Sequence, residues 1–89
     1  MVLDDYLATT TNDLQAAMRA LASGDYPQLA REAHRVKGAA MLVGASELAI
    51  AATVLEQAAR GADPPRVAPL LVELETAFDR LRLHIAQNA

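Results

Sequence analysis

A histidine, a lysine and a glycine stand at positions 34, 37 and 38, inside a stretch whose apolar residues Leu29, Ala33, Val36, Ala40 and Val43 recur at helical spacing. Residues three and four apart on a helix lie one turn apart on the same face. His34 therefore shares a face with Lys37 and Gly38, together with Ala30, Arg31 and Met41, opposite the apolar stripe. A neutral imidazole is a competent nucleophile near pH 7, and an adjacent ammonium favours that neutral form. The same ammonium can offset the charge of a phosphoryl group once one is attached to the ring. Lys37 is the single lysine of a chain that otherwise uses arginine. Gly38 costs a mid-helix position roughly 1 kcal/mol relative to alanine. Close packing of a neighbouring helix is one reason to keep it; room for phosphoryl oxygens and an approaching partner loop is the other.

Four helical segments position these residues. Gly24, Gly44 and Gly61 each follow an apolar-periodic segment, where a left-handed residue ends a helix. The first segment runs from about Leu3 to Ala22, with a stripe of Leu3, Leu7, Leu14, Met18 and Leu21. Its Thr9–Asn12 run is poor helix material and allows a kink or a fresh helix start. The second begins near Pro27 with Asp25 placed to cap it. The third follows Ser46, read as an N-cap, and carries Leu48, Ala52, Leu55 and Ala59. It is apolar almost all round to Leu55 and is expected to be the most buried. The fourth follows Asp63-Pro64-Pro65 and carries Val67, Leu70, Leu74, Phe78, Leu81 and Ile85; Pro69 leaves its start open between Pro64 and Pro69. Short connections make successive helices antiparallel neighbours. The expected fold is all-α, an up-down-up-down four-helix bundle forming one domain over residues 1–89.

That topology nominates a partner for the imidazole. His34 lies ten residues before Gly44, and ten residues past Ser46 on the antiparallel third helix is Glu56. Equal rise per residue puts the two at one level. A Glu56 carboxylate can accept from Nδ1 and leave Nε2 free as nucleophile. Helix rotation is not fixed by the count, so Gln57 is an alternative, and a solvated Glu56 at the end of a buried helix is another.

Composition narrows the classes. The 89 residues include twenty alanines and thirteen leucines but only three aromatics, Tyr6, Tyr26 and Phe78. The core must be made by close approach of small-residue helices. A net charge of −3 and scattered arginines argue against nucleic-acid binding. No apolar run is long enough to span a bilayer, and Asp4 and Asp5 stand where a signal peptide would be basic. With no cysteine, thiolate metal sites and cysteine nucleophiles are excluded. A cytoplasmic setting fits best.

The stretch Ala33-His34-Arg35-Val36-Lys37-Gly38-Ala39-Ala40-Met41-Leu42-Val43-Gly44 resembles the signature of histidine-containing phosphotransfer (HPt) domains of bacterial multistep phosphorelays. That signature is His, any residue, an aliphatic, Lys, Gly, five residues and a second Gly. The resemblance extends through Leu55-Glu56 and back to Ser23-Gly24-Asp25, about the middle half of the chain. It implies that His34 is the phosphoacceptor, that Lys37 and Gly38 attend the phosphoryl group, and that Glu56 orients the ring. It also implies no kinase activity and no metal or cofactor of the domain's own. The partners are receiver domains of response regulators or hybrid kinases, which supply an aspartate and Mg²⁺. Met41 and Leu42 depart from the family's usual Gly and small polar residue. They form a candidate apolar dock for a receiver helix or narrow the choice of partners. His-Arg-Val-Lys-Gly-Ala-Ala is most similar to modules of hybrid sensor kinases, which would make this the cytoplasmic module of a membrane protein without direct membrane contact itself.

Arg31 and Arg35 flank His34 and can meet an acidic receiver rim, or are simply solvated. Ala30, Arg31, Arg35, Met41 and Leu42 are thus the candidate docking residues. A monomer is expected. The competing class is a helical adaptor or oligomerisation module, for which off-stripe Val72 and Leu83 offer a surface, but it leaves Gly38 and the His34–Lys37 pair without a reason. A metal or hydrolytic enzyme lacks a motif: His84, the other histidine, has no carboxylate cluster around it, and Asp4-Asp5 reads as favourable helix N-terminal charge.

Overall fold

The computed structural model describes residues 3–61 and 63–88. Four helices follow in order: α1 (Leu3–Ala22), α2 (Tyr26–Leu42), α3 (Ser46–Arg60) and α4 (Pro64–Gln87). They form an antiparallel bundle in which α2 packs against α1 and α3, and α4 against α3. The molecule is a rod of 39 × 18 × 18 Å, its long dimension set by the 24 residues of α4.

The first two turns are of one design. Gly24 and Gly44 both take φ +72°, a left-handed conformation that a side chain disfavours. Asp25 N and Ala45 N then reach back to the carbonyls of Ala20 and Ala40, closing the end of the preceding helix. Gly61 differs from expectation. It remains right-handed at φ −79°, and Asp63 N makes the return bond to Ala58 O. Asp25 caps α2 by accepting from Gln28 N at 3.1 Å. Ser46 is not the N-cap of α3: Ala45 holds that position without a side-chain bond, and Ser46 is already helical.

Small residues dominate the buried surface, with Ala17, Ala33, Ala40 and Ala52 fully enclosed beside Leu29, Val36, Leu55 and Leu74. The α1 stripe is rotated from the sequence reading. Tyr6, Thr10, Leu14, Ala17 and Ala20 face inward, while Leu3 and Met18 are exposed. The helix is unbroken through the threonine run. Thr10 points into the core, and Thr11 returns its hydroxyl to Leu7 O at 2.8 Å. Val43, placed on the inward stripe of α2 by spacing, falls just past the helix end and is exposed. In α3 the expected face is buried, but Ile50 stands out at 66% exposure, so this helix is not enclosed all round. Helix α4 starts at Pro64 and continues through Pro69, which is itself exposed, so water can reach the backbone where its missing N–H leaves a carbonyl unpaired.

Candidate functional site

The α2–α3 interface brings His34, Lys37, Glu56 and Arg60 into one cluster. The two helices run antiparallel from the tight turn at Gly44, so residues equally far from it meet. Glu56 is the residue that faces His34; Gln57 is exposed on α3. His34 Nδ1 lies 3.2 Å from Glu56 Oε2 and 3.3 Å from Oε1, bridging both oxygens. The ring is otherwise open, with the His34 side chain 60% exposed against 9% for Glu56.

Lys37 does not stand free beside the imidazole. Its Nζ pairs with Glu56 Oε1 at 3.2 Å, and its side chain is 26% exposed. From the other side Arg60 places Nε at 3.1 Å and Nη2 at 2.7 Å from Oε2. One carboxylate thus receives a lysine from α2, an arginine from its own helix and an imidazole N–H between them. Burial on its own would push the carboxyl above its ordinary range. The Arg60 and Lys37 hydrogen bonds, with the charges of Lys37 and His34, outweigh that and hold Glu56 below the ordinary carboxylate range. A carboxylate kept ionised is acceptor-only, so a neutral ring facing it must put its hydrogen on Nδ1. Nε2 is then left with its lone pair toward solvent.

Gly38 lies on the exposed surface of α2, and a Cβ added there would meet nothing within 4 Å. Helix packing within the bundle therefore does not require the glycine. Replacement by alanine should stabilise the fold by about 1 kcal/mol, read as a raised midpoint in thermal or denaturant unfolding. If the bare backbone serves an incoming partner, the same variant will transfer phosphoryl more slowly than wild type while being more stable.

The remaining sequence candidates divide. Met41 and Leu42 are exposed at 67% and 79%, and Arg31 and Arg35 are exposed as well. Arg31 is tied to Gln28 Oε1 at 2.6 Å, and Arg35 to the buried Glu32 at 3.2 Å. Ala30 is a correction: it is only 3% exposed and belongs to the core cluster, because the small-residue seam between α2 and α3 is wider than the apolar stripe indicated. It can offer a partner little surface. Ile50, absent from the sequence list, lines a groove with Lys37, Met41, Ala49 and Thr53 next to the cluster. Arg60 was also missed, although its i+4 spacing from Glu56 is legible in the chain. His84 lies near the end of α4, bonded to Asn88.

Among the described residues no group of three or more His, Cys, Asp or Glu could hold a metal ion, and no helix is long and apolar enough to cross a membrane. No curated protein and no solved structure matches the chain significantly. The family model of the Hpt domain matches residues 1–84, nearly the whole chain, and on that match the protein belongs to the Hpt domain family.

Proposed function

We propose that His34 accepts a phosphoryl group from the aspartate of a receiver domain and passes it to the aspartate of another. The observation that supports this reading is the Nδ1–carboxylate contact at 3.2 Å beneath a solvent-open Nε2. In the forward step the Nε2 lone pair attacks phosphorus, the P–O bond to the receiver's aspartate breaks, and that carboxylate leaves with the bonding pair. The ring, still carrying hydrogen on Nδ1, becomes cationic, and the Glu56 carboxylate lies where it offsets that charge. Return transfer is the reverse, so no proton needs to leave the site in either direction. Lys37 is near enough to turn its flexible stem from Glu56 toward phosphoryl oxygens.

In this reading the chain is a covalent carrier without kinase activity of its own, acting as a monomer in the cytoplasm or as the cytoplasmic module of a sensor kinase. Mg²⁺ belongs to the receiver. Nucleic acid and direct membrane contact have no part in it. The receiver docks over Met41, Leu42 and the adjoining Ile50 groove, an apolar surface beside the reactive nitrogen, with Arg31 and Arg35 toward its acidic rim. Incubation with a panel of receiver domains carrying labelled phosphoryl groups tests the proposal. Label should appear on this chain from at least one receiver and be lost in mild acid, as expected of phosphohistidine. Failure with every receiver of a broad panel, the bundle being folded, would leave the adaptor reading.

A further inference from the structure

The Glu56 carboxylate is held from two sides, and the two cations differ in what else they can do. Lys37 donates to Oε1 from the helix that carries His34. Arg60 donates twice to Oε2 from the helix that carries Glu56. The Nε and Nη2 donors of the planar guanidinium converge on the one oxygen and hold Oε2 in place, whereas an ammonium on a four-carbon stem acts as a movable point charge on Oε1. Lys37 is also the cation placed to follow a phosphoryl group on the ring. When it turns away, Oε1 loses its cation, and the carboxylate must still face Nδ1 for the ring to remain in the reactive tautomer.

We propose that Arg60 is a positioning residue: it keeps the Glu56 carboxylate facing His34 Nδ1, so that Nε2 remains the nucleophile while Lys37 is free to leave Glu56 for the phosphoryl group. The proposal deepens the carrier reading and rests on it for the role of Lys37. Its central claim, that Arg60 sets the tautomer of His34, is a property of the resting chain and needs no partner. Arg60 is 62% exposed, so its contribution to stability is small and a stability measurement alone cannot reveal the role. Among the described residues the charged or titratable groups paired with Glu56 are His34 and Lys37 from α2 and Arg60 from α3.

The test is ring-nitrogen NMR of the uniformly ¹⁵N-labelled chain, at a pH where His34 is neutral, for wild type, Arg60→Ala, Arg60→Lys, Lys37→Ala and the Lys37→Ala/Arg60→Ala double variant. His84, bonded to Asn88 at the end of α4, is an internal reference that should not change. Wild type should show hydrogen predominantly on Nδ1. Arg60→Ala should raise the Nε2–H fraction several-fold, with Arg60→Lys restoring part of the difference. The double variant should raise it more than the two single changes together, because either cation alone retains some hold on the carboxylate. An unchanged His34 tautomer in Arg60→Ala, with the amide spectrum showing an intact bundle, overturns the proposal. So would a Lys37→Ala variant whose tautomer shifts fully while that of Arg60→Ala does not. Transfer rates from a receiver are measured on the same samples. A tautomer shift without any transfer in wild type keeps the Arg60 assignment and removes the carrier reading; normal transfer with no tautomer shift does the opposite.

Discussion

Replacing His34 by glutamine is expected to abolish acceptance of phosphoryl from any receiver that labels the wild type, with the bundle intact. The reason lies in the placement of the side chain. It projects to solvent at 60% exposure from a helix whose buried residues Leu29, Ala33, Val36 and Ala40 are untouched by the change. An exposed substitution of this kind moves stability within about 0.5 kcal/mol. Glutamine can still donate to Glu56 but has no nitrogen lone pair that attacks phosphorus. Folding and chemistry therefore separate cleanly in this variant, and circular dichroism with unfolding midpoints checks the first while label transfer checks the second. His84→Gln is the matching control. That residue is exposed on α4 and among the described residues its hydrogen-bond partner is Asn88, so its replacement should leave transfer at the wild-type rate. Label retained on the His34 variant and lost on the His84 variant would relocate the acceptor.

The pattern of what could be read in the chain follows from how far each physical constraint reaches. Turn chemistry is local, so Gly24, Gly44 and the Asp25 cap are legible from residue type, and the starts of the first three helices follow within a residue or two, while Pro69 left that of α4 open. Antiparallel pairing at a tight turn is a counting rule, and it brings Glu56 level with His34 across the α2–α3 seam. Rotation about a helix axis is not local. In an alanine-rich bundle the apolar stripe is broad and small residues fit anywhere on it. The chain therefore gave no reason to prefer Tyr6 and Thr10 over Leu3 and Met18 on the inner face of α1. The same ambiguity put Ala30 on the surface when the close approach of α2 and α3 encloses it. For Lys37 the sequence showed a cation one turn from a histidine. That its ammonium spends itself on Glu56 depends on a side chain on the next helix, whereas the second clamp, from Arg60, lies only one turn from Glu56 on α3 itself.

Glu56→Ala should then be the most damaging change that leaves the acceptor in place. It removes the only carboxylate among the described residues that is bonded to the His34 ring and leaves Lys37 and Arg60 facing each other across the vacated position. Without an acceptor at Nδ1 the ring is free to place its hydrogen on Nε2, which blocks the nucleophile, and the cationic phosphorylated ring has no counter-charge. Loss of the partner that orients a metal-bound imidazole costs roughly 10–100-fold in activity, and we expect the transfer rate here to fall by about the same order. Stability should fall by only about 1–2 kcal/mol, the cost of the lost hydrogen bonds at a rim where His34 and Arg60 remain solvated. The pH dependence has a definite sign. Glu56 titrates lower in the fold than in the unfolded chain, because the Arg60 and Lys37 bonds outweigh burial. Its contribution is therefore complete above the ordinary carboxylate range and fades as pH falls through the depressed folded value. Wild type and Glu56→Ala should differ most in unfolding midpoint near neutral pH and converge in acid. A difference that persists or grows in acid would mean that Glu56 stabilises the bundle by packing, and its hold on the cations would then not be the source of the effect.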